Sequence, residues 1–126
     1  MLRKLMVIAV LLAACTLSGT SAQTMLIGPD EYPQSVNPLT GLVVDDASVL
    51  LRRPIDVKIS NAPPLVRPQA GLNAADLVFE HYAEGGLTRF SAIFYGQAPE
   101  RVGSVRSARL IDYELVAMYQ ALLAYS

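Results

Sequence analysis

The stretch Leu77-Val78-Phe79-Glu80-His81-Tyr82-Ala83-Glu84-Gly85-Gly86-Leu87-Thr88-Arg89-Phe90-Ser91-Ala92-Ile93-Phe94-Tyr95 decides the fold. Residues 77–83 and 87–95 are rich in aromatic and β-branched side chains, the composition of strands. Only Gly85 and Gly86 stand between Glu84 and Leu87, and a two-glycine loop supplies the positive φ angles of a type I′ or II′ hairpin. Such a loop sets the register: Glu84 opposite Leu87, Tyr82 opposite Arg89, Glu80 opposite Ser91. Phe79, His81 and Ala83 then share an apolar side with Phe90, Ala92 and Thr88, extended by Leu77 and Phe94, and this side should face the core. Glu80, Tyr82 and Glu84 share the other side with Arg89 and Ser91. Diagonal neighbours about 7–8 Å apart let their long side chains meet.

Working outward, residues 54–60 predict a strand, with Ile55, Val57 and Ile59 on one face and Asp56, Lys58 and Ser60 on the other. Residues 61–69 hold three prolines and predict a loop. Asn73 is placed to cap a short turn ending at Asp76. Asp45 to Leu50 reads as a short helical turn, and the adjacent acids Asp45 and Asp46 lack the six to eight oxygens of a calcium site. Pro38 and Gly41 mark a turn before it. Downstream, 96–103 is a loop and 107–124 a helix. Its apolar stripe is Ile111, Leu115, Met118 and Leu122, and Asp112 and Glu114 suit its dipole. The expected class is α/β (α+β): an antiparallel hairpin-based sheet packed against a C-terminal helix. The apolar end of the chain carries no helix stop signal, which predicts an incomplete domain, residues 37–126 being its N-terminal part.

The chain has 126 residues, 52% apolar and 17% charged, which bounds it to one globular domain. Ten basic against eleven acidic side chains exclude a strongly basic nucleic-acid binder. A single His and a single Cys exclude a Cys/His zinc site and an internal disulfide. No metal or cofactor is expected. Arg3 and Lys4 precede an unbroken apolar run at residues 5–14, too short to span a bilayer but fitting an export signal. Two processing routes are open. Leu12-Ala13-Ala14-Cys15 resembles a lipobox, in which Cys15 is lipidated and anchors the chain to a membrane. Alternatively, signal peptidase cuts after Ala22. Residues 1–22 are thus the signal, and 16–36, rich in small polar residues, a tether reaching roughly 25 Å. Without Arg3 and Lys4, eight positive side chains face eleven negative ones, a net charge of −3.

Two charged constellations are candidates for chemistry. Glu80 and Glu84 beside Arg89 resemble either a paired-carboxylate hydrolytic site or a solvated ion-pair lattice, and the guanidinium should depress both carboxyl pKa values, which suits the second better. The second constellation is Arg101, Ser104, Arg106, Ser107 and Arg109, just before the helix. Arg106 and Arg109, three apart, would share a helical face and grip a phosphate, sulfate or carboxylate in forked geometry. The alternative is that these arginines bond loop carbonyls and the acidic hairpin. His81 reads as a core residue, since no GxSxG elbow accompanies it.

Taken in order, several segments resemble the YerB-type lipoproteins, a bacterial family of unknown function. They are Asn37-Pro38-Leu39-Thr40-Gly41-Leu42, Arg53-Pro54, Arg67-Pro68-Gln69-Ala70-Gly71-Leu72, Ala75-Asp76 with Glu80, Glu84-Gly85-Gly86 with Thr88-Arg89-Phe90, and Val102-Gly103-Ser104-Val105-Arg106-Ser107-Ala108-Arg109. The resemblance runs from about Asn37 to the end. It implies export, often as a lipoprotein, and an α/β N-terminal domain followed by a further one. It carries over no reaction and no catalytic residue. The expected role is an exported, lipid-anchored envelope module binding an anionic small molecule or envelope polymer through Arg106 and Arg109. Ser104, Ser107 and Arg89 assist. The alternative is an envelope glycan hydrolase using Glu80 and Glu84.

Overall fold

The computed structural model describes residues 32–126; the export signal and Cys15 lie outside the described residues. Four strands form one mixed sheet in the order β2-β3-β1-β4: β1 Ile55–Ser60, β2 Leu77–Tyr82, β3 Thr88–Phe94 and β4 Leu122–Ala124. One helix, α1 Leu110–Tyr119, follows the hairpin. This is the α+β hairpin sheet with a C-terminal helix that the sequence pattern predicts.

β1 is the hub, flanked on one side by antiparallel β3 and on the other by parallel β4. Its alternation sorts the two faces of the sheet. Val57 and Ile59 join Ala92 and Phe94 in an apolar core, covered by Leu72, Ala74, Ala75 and Val102 from the crossing loops. Asp56, Lys58 and Ser60 point to the opposite face and are buried too, because α1 lies on that side, its Tyr119 ring 5.9 Å from Phe79.

The hairpin register differs from the sequence expectation by one residue. Glu80 pairs with Phe90, His81 with Arg89 and Tyr82 with Thr88. The closing pair is Ala83 and Leu87, whose N–H to carbonyl bond measures 2.8 Å, so the loop is Glu84-Gly85-Gly86, three residues long. Both glycines have positive φ, +68° and +74°. A one-residue slip exchanges faces. Arg89 and Ser91 therefore share their side with Phe79 and His81 beneath α1, while Phe90 and Ala92 share theirs with Val78 and Glu80. The competing influence is β1: pairing Phe90, Ala92 and Phe94 with Ile59, Val57 and Ile55 gathers one apolar face across the two central strands.

The C-terminal helix is also shorter than its periodicity suggests. Gln120 adopts left-handed φ of 49°, and Leu122–Ala124 become β4. Of the expected stripe only Leu115 is buried; Ile111, Met118 and Leu122 are exposed. The free edge of β1 explains this, since buried backbone groups need partners. Leu122 N–H bonds the Pro54 carbonyl (2.8 Å), and residues 104–106 serve the rest of the edge through Ser60 N–H to Ser104 O (2.8 Å) and Arg106 N–H to Lys58 O (2.9 Å).

Turns follow local chemistry. Asp46 caps the 3-10 turn Ala47–Leu51 by accepting from Ser48 N–H. Asp76 accepts from Asn37 Nδ2 (2.7 Å) and Gly96 N–H (2.9 Å), which fixes the N-terminal loop. Asn73 lies inside the turn Leu72–Ala74, and Gly71 takes the capping position at φ +73°. A Cβ at Gly71 would run into the Arg101 carbonyl. Gly71→Ala should therefore cost about 1–3 kcal/mol in urea unfolding; an unchanged midpoint contradicts this close approach.

Candidate functional site

Two charged clusters flank the start of α1, one at the surface and one beneath the helix. The surface cluster centres on Glu84 in the hairpin loop. Arg109, the N-cap residue of α1, forks onto this carboxylate, with Nε 2.9 Å from Oε2 and NH2 reaching both oxygens. Arg89 NH2 donates to Oε1 at 3.2 Å and Arg89 NH1 donates to the Ser107 carbonyl at 2.6 Å. Arg109, through its hydrogen bonds, holds the Glu84 carboxyl below the usual carboxylate range. Arg106 lines the same small cleft as Glu84 and Arg89, is exposed, and its guanidinium has no hydrogen-bond partner among the described residues.

Several residues that sequence reasoning grouped do come together here, by a different geometry. Arg106 and Arg109 do not share a helical face, because both precede α1; Arg109 is extended (φ −133°, ψ 166°) and Arg106 pairs with β1. Ser104 and Ser107 contribute through backbone carbonyls, to Ser60 N–H and Arg89 respectively. Arg101 lies exposed in the loop before them. Glu80 emerges on the face opposite Arg89 and accepts from Thr88 Oγ1 (2.6 Å) and Asn61 Nδ2 (3.0 Å). Glu80 and Glu84 thus have separate partners. A carboxylate held low by an arginine cannot act as a general acid near neutrality, so the paired-acid arrangement finds no support in the geometry.

The second cluster escaped the sequence reading. Lys58 on β1 is fully buried, and an ammonium has three hydrogens to place. They find Asp112 Oδ1 (2.6 Å), Ser91 Oγ (3.0 Å) and, at short range, His81 Nε2. Ser91 Oγ in turn donates to Asp112 Oδ1 at 2.8 Å. Burial pushes the Lys58 amine down, and burial with the neighbouring Lys58 does the same to His81. Burial would raise Asp112, but hydrogen bonds from Lys58, the Arg109 backbone and Ser91 outweigh it and hold the carboxyl low. Asp112 is therefore an ionic anchor of the helix, beyond the dipole role its position suggests.

These are the residue types of a hydrolytic triad without its wiring. Asp112 binds Ser91 and Lys58, whereas the other ring nitrogen of His81 faces Tyr82 O at 3.5 Å. Ser91 has no exposed surface, so no substrate reaches it. The one available signal was the Lys58–Ser91 pairing across two central strands, which only the correct register reveals. Asp56, on the same face, is buried with both carboxylate oxygens unpartnered among the described residues.

Comparison with known proteins agrees with this architecture. Residues 39–126 match the family described as "Protein of unknown function (DUF3048) N-terminal domain". The chain is 52% identical over 81 residues to "Putative lipoprotein YerB" of Bacillus subtilis (strain 168), an alignment covering 64% of this chain and 24% of that protein. The crystal structure of YerB from Bacillus subtilis superposes with a TM-score of 0.67 at 46% identity, over 71% of this chain and 30% of that one. The chain thus spans about a quarter of the length of the curated relative it matches.

Proposed function

We propose, from the premise that this chain belongs to the DUF3048 family of unknown function, that it is an anion-binding module of the cell envelope. In this reading it is exported and held at the membrane by a lipid on Cys15. Residues 37–126 form the N-terminal part of a longer protein. The lipoprotein name of the relative, the apolar run before Cys15 and the polar tether after it support that placement.

The observation that carries the binding role is the imbalance at Glu84. Two guanidinium groups, those of Arg89 and Arg109, converge on one carboxylate, and a third, that of Arg106, lines the same cleft with no partner among the described residues. Guanidinium forks suit carboxylate and phosphate, so the ligand is an anionic group of a small molecule or an envelope polymer. The fork of Arg109 on Glu84 supports a carboxylate or a group of like geometry as the ligand.

Titration calorimetry with polyphosphate and with a polyuronate tests this. Arg106→Ala combined with Arg109→Ala should weaken binding at least about tenfold, the loss of one charge-assisted contact or more. Glu84→Gln should tighten it several-fold by freeing the fork. Unchanged binding in the double variant, or none by the parent protein, ends the reading.

A further inference from the structure

The arginine cluster and the buried cluster meet at one residue. Asp112 Oδ1 takes the Lys58 ammonium and the Ser91 hydroxyl, while Asp112 Oδ2 accepts the Arg109 backbone N–H at 2.5 Å. The Asp112 N–H returns to the Arg109 carbonyl at 3.0 Å. Asp112 is 1% exposed and Lys58 not at all, so this anchor is shielded from solvent and salt. An unbroken polar chain therefore runs from β1 through Lys58 and Asp112 to the Arg109 backbone. It continues through the Arg109 guanidinium to Glu84 in the hairpin loop and through Arg89 to the Ser107 carbonyl.

We propose that Asp112 is a positioning residue for the anion site: its buried carboxylate, held by Lys58 and Ser91, sets the Arg109 backbone so that its guanidinium reaches the Glu84 position. This rests on the anion-binding reading above. Helix packing alone does not require it. The buried face of α1 is served by Leu115 and by the Tyr119 contact with Phe79, which hold the helix to the sheet without fixing Arg109. An arginine has a long side chain with many rotamers. A bidentate grip needs its Cα placed within about 1 Å, and an error of that size costs binding steeply.

The test separates the cap oxygen from the charge. Lys58→Met with Asp112→Leu and Lys58→Met with Asp112→Asn both replace the buried ion pair by neutral groups. Only asparagine retains an oxygen for the Arg109 N–H. NMR titration of the Glu84 carboxyl reads the Arg109 grip without any ligand. It should stay below the ordinary range in the parent and in the asparagine variant, and move up toward the ordinary value in the leucine variant. Polyphosphate affinity should fall about tenfold in the leucine variant and recover with asparagine. A folded leucine variant whose Glu84 titration does not move overturns the inference, while the anion-binding reading stands or falls separately on the Arg106 and Arg109 double variant. If the leucine variant does not fold, hydrogen exchange on the parent protein decides: the Arg109 amide must be as protected as those of β1, and exchange like an exposed loop amide overturns the proposal.

Discussion

Replacing Lys58 alone by methionine should cost about 3–5 kcal/mol, a large part of the stability of a domain this size. The loss is not that of a favourable contact of that strength. Lys58 and Asp112 are 0% and 1% exposed at the side chain, and their 2.6 Å pair sits where water cannot replace either partner. Removing the ammonium leaves a carboxylate with only the Ser91 hydroxyl and the Arg109 N–H against full desolvation. Removing both charges has a different expected result. Lys58→Met with Asp112→Leu should recover most of that loss, because a buried ion pair roughly breaks even with apolar groups of similar volume, and should fall short of the parent by about 1 kcal/mol for the Arg109 N–H left without its acceptor. Ser91 Oγ and His81 Nε2, already 3.0 Å apart, can then satisfy each other. Urea unfolding of the three proteins checks this; a double variant as unstable as the single one would mean that the cluster stabilises by more than mutual neutralisation.

Asp56 gives the second large effect, and its sign is opposite to that of an ion-paired acid. Burial raises its carboxyl from the ordinary 3.8 to about 6, with the charge of Asp112 adding to the rise. The folded state then binds the proton more tightly than the unfolded chain. Stability from this group is complete below the unfolded value of 3.8 and is lost as the pH rises through about 6. The full cost of ionisation is up to about 3 kcal/mol at roughly 1.36 kcal/mol per pKa unit. His81 works against it: its folded-state pKa is lowered from 6.5, so it costs stability as the pH falls below 6.5. The two overlap in the raw profile, and the difference between parent and Asp56→Asn isolates the acid. The advantage of the asparagine variant should be greater at about pH 8 than at about pH 4, by about 2.5 kcal/mol. Two unfolding profiles that run parallel across this range would show that Asp56 finds a partner when ionised.

The candidate site was partly legible. Glu84, Arg89, Arg106 and Arg109 stand out in sequence as unlike charges near a tight loop and a helix start, and they do cluster. Their wiring was not legible, because it depends on a loop one residue longer than the two glycines suggest. Lys58, His81, Ser91 and Asp112 were invisible as a group. Their separations in sequence run from 10 to 54 residues, and no local pattern marks them.

What the sequence determines by itself is local: the strand character of β1, β2 and β3, the glycine turn between β2 and β3, the proline-rich loop after β1, and helical character in the segment after β3. Each follows from side-chain periodicity or from backbone preference within a few residues. The tertiary structure alone decided which face each hairpin residue shows and where the last helix gives way to β4. The reason is common to both. β1 sits at the centre of the sheet, and its apolar face, its charged face and its free backbone edge all had to be satisfied by distant segments. Burying Phe90 with Ile59 and pairing Leu122 with Ile55 met those demands better than local register or helical periodicity did.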